Sequence, residues 1–129
     1  MKKKISTTFA PQAIGPYSQG IMCGKFLFVS GQLAIDPSTG KLIEGDIKIQ
    51  TRRVLENIKA IVETAGGTMK DIIKTTCYLK DIKLFREFNE VYSTFFEEDP
   101  PARTTVEVSS LPREGALIEI DAIAYIEKD

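Results

Sequence analysis

Two hydrophobic rhythms divide this chain. Between Asp46 and Gly66, apolar residues recur at helical spacing, at Ile47, Val54, Leu55, Ile58, Ile61, Val62 and Ala65. Arg52, Arg53, Glu56, Lys59 and Glu63 fall largely off that stripe. Asp46 stands where an N-cap is needed, and Gly66-Gly67 where the helix must end. A second helix is predicted after Asp81, with Leu84, Phe85, Phe88, Tyr92, Phe95 and Phe96 as its stripe and Asn89 inside it. Asp99-Pro100-Pro101 stops it.

Elsewhere the period is two, the spacing of strands. Ile5 to Phe9 reads as a short first strand. Ala10 to Pro16, with two prolines and a glycine, reads as a loop delivering Tyr17 and Ser18 to the next strand. Ile21-Met22-Cys23 and Phe26 to Val29 flank Gly24-Lys25, which suits a type II′ hairpin turn, and the second of these strands ends in Ser30-Gly31-Gln32. Asp36 to Gly40 is a surface turn. Asp71 to Lys80 is a strand with Thr75, Cys77 and Leu79 on one face and Thr76, Tyr78 and Lys80 on the other. Two further strands run from Pro101 to Val108 and from Leu117 to Ala122, either side of a Pro112- and Gly115-containing loop. Arg103, Thr105 and Glu107 share one face of the first; Leu117, Glu119 and Asp121 share one face of the second. If these two pair as a hairpin, Arg103 and Glu119 share a face only when the residue numbers of each opposed pair sum to an even value.

Strand–helix–strand passages imply crossovers between parallel strands, and hairpins add antiparallel pairs. The expectation is a single α+β domain over residues 1–129, with a mixed six-stranded sheet and two helices packed on one face. The uncovered face needs an apolar neighbour, and self-association is the simplest one.

Composition changes the picture mainly by exclusion. The chain has 129 residues, which suggests one domain, and a net charge of −1, which argues against a dedicated nucleic-acid binder. Lys2-Lys3-Lys4 reads as a solvated edge or, alternatively, as a contact for an acidic partner. With no histidine, imidazole metal sites and Ser-His or Cys-His catalysis are excluded. Proton handling then falls to carboxylates, Lys, Tyr, Cys or water. Two scattered cysteines, Cys23 and Cys77, do not make a disulfide framework; both read as small buried hydrophobes, and a cytoplasmic location fits. No signal peptide or membrane-length apolar run is evident.

Each residue that carries candidate chemistry also has a plain structural explanation. Arg103 is either a strand arginine in an ordinary ion pair or a planar fork gripping a carboxylate. Glu119 is either a solvent-facing position in an alternating strand or a pocket glutamate with a raised pKa. Tyr17 is a packing aromatic or a pocket wall. Asn89 is an amide satisfying backbone groups or a ligand contact. Thr105 is a β-branched strand former or a hydroxyl reaching the same cavity as Arg103.

Taken together, these residues resemble a known signature. Pro101-Ala102-Arg103, Val106-Glu107-Val108 and Leu117-Ile118-Glu119-Ile120 are similar to the Rid family of reactive-intermediate (enamine/imine) deaminases, the YjgF-like proteins. So are Ile14 to Gly20, Val29 to Gln32, Asn57 to Val62, Lys74 to Thr76 and Phe88 to Tyr92, so that the resemblance spans essentially the whole chain. It implies a fold like the trimeric type of chorismate mutase, a homotrimer whose sheets form a central barrel, with sites in clefts between protomers. It implies hydrolysis of 2-imino or 2-enamino acids such as 2-aminoacrylate and 2-aminocrotonate, released by pyridoxal-phosphate enzymes, to 2-keto acids and ammonia. Arg103 would clamp the carboxylate and Glu119 would activate water, with Tyr17, Ser30, Gly31 and Asn89 lining the cleft. No cofactor or metal is expected. Many family deaminases carry cysteine where this chain has Thr105, which bears on substrate preference. A non-catalytic 2-keto-acid-binding regulator using the same cleft is the alternative. A ribonuclease role, ascribed to some relatives, is poorly served by the charge and the missing histidine.

Overall fold

The computed structural model describes residues 1–127. Six strands form one sheet: β1 (Lys2–Ile5), β2 (Gly20–Cys23), β3 (Phe26–Gln32), β4 (Ile72–Leu79), β5 (Ala102–Glu107) and β6 (Ile118–Tyr125), in the spatial order β1-β2-β3-β6-β4-β5. Two helices, α1 (Ile47–Thr64) and α2 (Phe85–Phe95), pack on one face, α1 over β3 and β6 and α2 against α1 and β4. The sheet is mixed, as expected: β4–β5 is parallel and the other pairs are antiparallel.

Local chemistry accounts for the element ends. Asp46 Oδ1 accepts from Ile49 N–H at 3.0 Å and caps α1. Gly24 has φ 62 while Lys25 does not share that region, which is what a type II′ turn requires. The first strand lies earlier than expected, and its exposed lysines lie along a sheet edge. The segment expected to be strand is tied down instead by the buried Gln19. That amide donates to the carbonyls of Thr7, Ala10 and Pro11 and accepts from Thr7 N–H. Asp81 is a cap, but of a 3-10 turn over Ile82–Leu84 that precedes α2.

The core lies between helices and sheet: Leu27, Val29, Val54, Leu55, Ile58, Phe88, Ile118 and Ile120 are all buried. Cys77 is buried as expected, and burial pushes its thiol up to about 12. Cys23 is exposed, contrary to expectation, because its position opposite Phe26 places it on the open face of the sheet. That face is apolar at one end, with Ile21, Phe26, Phe28, Ile123 and Tyr125, and polar at the other, with Thr76, Tyr78, Thr104, Glu119 and Asp121.

The last two strands do not form a hairpin. β4 lies between β5 and β6, with Thr75 opposite Arg103 on one side and Tyr78 opposite Glu119 on the other. Thr75 is buried against the helices, and Tyr78, three residues on, faces away from them. Arg103 therefore lies on the helix face of the sheet and Glu119 on the open face.

Candidate active site

Glu119 stands beside a β-bulge. Between β3 and β6 the register shifts, so Val29 and Gln32 span three steps while their partners Ala122 and Ile120 span two. The bulge holds Ser30 and Gly31. Ser30 is fixed by its hydroxyl donating to Ser18 O at 2.5 Å and its N–H donating to Gln19 O at 2.9 Å. Gly31 leaves room for a carboxyl group: a Cβ there would lie 2.9 Å from Glu119 Cδ and closer still to its Oε2. Tyr17, Ser30, Gly31, Arg113 and Glu119 line one cleft of about 470 Å³. Tyr17 is exposed, its N–H bonded to Gly15 O at 2.8 Å.

The Glu119 carboxyl takes no hydrogen bond among the described residues, and its pKa is raised, first by burial and second by the like charge of Asp121. Asp121 in turn accepts from Tyr78 O–H at 2.9 Å. A half-buried carboxyl with a raised pKa can take up and give back a proton, and among the described residues this one makes no ion pair.

A second cluster lies on the helix face. The Arg103 guanidinium rests on three rings of α2: Tyr92 at 4.7 Å, Phe88 at 5.2 Å and Phe85 at 5.4 Å. Tyr92 is anchored through its hydroxyl to Thr75 Oγ1 at 2.7 Å. Arg103 has no carboxylate partner, since the salt bridge found among the described residues joins Lys48 to Glu90. The ordinary ion-pair explanation of Arg103 thus fails within one chain. Thr105 Oγ1, on the same face, is buried and unpartnered. Asn89 is half-buried on α2, at positions i+4 from Phe85 and i−3 from Tyr92, hence on the same side of the helix.

The expected site residues therefore form two groups, Tyr17–Ser30–Gly31–Glu119 and Arg103–Thr105–Asn89, on opposite faces of one sheet. None of the cavities found among the described residues holds both. Sequence reasoning missed Arg113, Gln19 and Asp121. Arg113 lies in a Pro- and Gly-marked loop, where nothing in the pattern distinguishes a cleft residue from a solvated one. No group of three or more His, Cys, Asp or Glu side chains suited to a metal ion occurs among the described residues, and no helix among them is long and apolar enough to cross a membrane.

A family model described as Endoribonuclease L-PSP matches residues 7–126. A 2-iminobutanoate/2-iminopropanoate deaminase of Salmonella typhimurium is 49% identical over 127 residues, covering 96% of this chain and 98% of its own. The chain belongs to the YjgF/RutC/Rid family. Another Rid relative, a RutC family protein of Pyrococcus horikoshii, is 59% identical over 127 residues, covering 98% of this chain and 100% of the relative. Among solved structures, a Rid protein of unknown function from Yersinia pestis superimposes with a TM-score of 0.94 at 48% identity, covering 98% of this chain and 100% of the other. The Rid fold is thus an α+β sheet of six strands with two helices, as found here.

Proposed function

We propose that this protein hydrolyses reactive 2-imino and 2-enamino acids, such as 2-aminoacrylate and 2-aminocrotonate, to 2-keto acids and ammonia, in clefts that two copies of the chain complete. The observation that carries the proposal is the separation itself. A carboxyl group with a raised pKa and a guanidinium without a carboxylate partner lie on opposite faces of one sheet, each in a half-finished site. Named deaminases at comparable identity support the choice of reaction.

The enamine tautomer takes a proton at carbon and becomes an iminium. The Arg103 fork of one copy holds its carboxylate through two charge-assisted hydrogen bonds, and the unpartnered Thr105 hydroxyl and the Asn89 amide face the same ligand. Glu119 of a neighbouring copy, with Tyr17, Ser30 and Gly31, closes the cleft. Water attacks C2 as its proton passes to the Glu119 carboxylate. Glu119 then returns that proton to nitrogen and, as the C–N bond breaks and ammonia leaves, takes the hydroxyl proton so that the carbonyl forms, passing it on to ammonia or solvent. Alignment of this kind is worth several kcal/mol of barrier lowering. A raised pKa brings the glutamate nearer neutral pH, where both proton transfers run well. The open apolar end of the sheet suits a closed homotrimer with sheets facing inward. The substrates arise from pyridoxal-phosphate enzymes, which places the protein beside them in a cytoplasm.

The test is complementation between two inactive variants. Arg103→Ala and Glu119→Ala, each alone, should lose the acceleration of keto-acid formation when a dehydratase generates the imine. Unfolded and reassembled together, each shared cleft has about a one-in-four chance of pairing an intact arginine with an intact glutamate, so about a quarter of the wild-type rate should return. No recovery from well-formed mixed oligomers would refute the shared site. Binding of a 2-keto acid with no rate effect from wild-type protein would leave a regulator in place of an enzyme.

A further inference from the structure

The Glu119 cleft contains a cation that the proposed reaction does not use. Arg113, half-buried in the loop before β6, lines it together with Tyr17, Ser30 and Glu119. Its backbone is held in a turn, its carbonyl accepting from Ala116 N–H at 3.1 Å. Among the described residues its side chain has neither a salt bridge nor a side-chain hydrogen bond, although Glu114 is its immediate neighbour. The cleft also continues past it. An adjoining groove of about 380 Å³ shares Pro11, Ile14, Tyr17, Ile35 and Arg113 with the first and extends to Ser38 and Thr39.

The geometry matters because Arg113 belongs to the same half-site as Glu119, whereas Arg103 faces the opposite side of the sheet. On the imine-hydrolase reading, a substrate whose 2-carboxylate is held by the neighbour's Arg103 would place its reacting carbon at Glu119 and its side chain toward the remainder of the cleft. A short, uncharged side chain would make no demand on Arg113. A longer one carrying a second carboxylate would meet Arg113.

We infer that Arg113 is a specificity residue for the distal carboxylate of dicarboxylic 2-imino acids, so that the cleft accepts imines derived from acidic as well as small neutral amino acids. This rests on the imine-hydrolase reading above. Arginine suits the role because its fork meets a carboxylate through two parallel bonds, and a half-desolvated guanidinium gains more from an anion than an exposed one does. It also offsets the repulsion that Glu119 and Asp121 would exert on a dianion.

The experiment compares 2-iminobutanoate with 2-iminoglutarate, each generated in place by an amino-acid oxidase. Loss of imine above the spontaneous rate is followed for wild type, Arg113→Leu and Arg113→Lys. The kcat/KM ratio of the acidic over the neutral imine should fall at least tenfold in Arg113→Leu and recover in part in Arg113→Lys. A ratio unchanged within twofold, or wild-type protein that accelerates loss of the neutral imine alone, overturns the inference while leaving the deaminase reading intact. If neither imine is accelerated, the deaminase reading falls. Calorimetry with 2-oxoglutarate and 2-oxobutanoate then decides the subsite: an Arg113-dependent preference for the diacid keeps it, and no preference removes it.

Discussion

Gly31→Ala isolates the placement of the Glu119 carboxyl from everything else in the cleft. The φ of Gly31 lies outside the left-handed region, so alanine meets no backbone penalty there. Its methyl group instead meets the glutamate, 2.9 Å from Cδ and 3.2 Å from Cγ. Restoring an ordinary carbon–carbon separation moves the carboxyl by roughly 1 Å. The obstacle is a side chain that borders an open cleft, so it can swing aside at about 0.5–1.5 kcal/mol of rotamer strain. Melting temperature should thus fall by only a few degrees. Catalysis should suffer far more, since a misplacement of about 1 Å costs on the order of 100-fold. Steady-state kcat in a dehydratase-coupled assay, alongside a thermal melt, checks both. In a Glu119→Gln background the same substitution should cause little further loss of rate, because the two act through one group. A Gly31→Ala protein with wild-type kcat would show that Glu119 is not positioned by this contact, and would remove the argument for it as the base.

Two other outcomes follow from the same geometry. Because burial and Asp121 raise the folded-state pKa of Glu119 above its usual 4.5, its contribution to stability is fully present below that value and is lost as pH rises through the raised pKa. Glu119→Gln should accordingly gain thermal stability relative to wild type as pH rises above 4.5, and a gap that does not grow with pH would contradict the assigned environment. Phe28→Asp places a charge on the open apolar face, where Phe28 is 46% exposed beside Phe26, which in turn meets Tyr125. Sedimentation should show smaller species and the coupled assay a matching loss of activity; a monomer with full activity would rule out a site shared between copies.

Much of the architecture was legible because the two hydrophobic periods are clean. The α1 stripe from Ile47 to Val62, the Asp46 cap and the Gly24 turn all sit where the pattern puts them, since local sterics and capping settle them without reference to the rest of the chain. The first strand was misplaced because Ile5 to Phe9 has strand composition, yet the Gln19 side chain competes for its backbone groups from ten or more residues away. Periodicity carries no information about a hydrogen bond of that range.

The relation between Arg103 and Glu119 was out of reach for a stronger reason. Alternation fixes which residues of one strand share a face, but the relative faces of two strands depend on everything placed between them. Here β4 enters between β5 and β6, and its parallel register to one and antiparallel register to the other together decide the outcome. Shift either register by a single residue and the two groups would fall on one side of the sheet, where each would feel the other's charge. The raised carboxyl pKa and the guanidinium's pull on an anion would both be weakened. Keeping them on opposite faces preserves both, with Arg103 stacked on rings rather than bonded to a carboxylate. On the proposed reading, a site built this way would stay unfinished in each chain until a second copy approached, so the same sheet geometry that separates the two groups would make assembly a condition of activity.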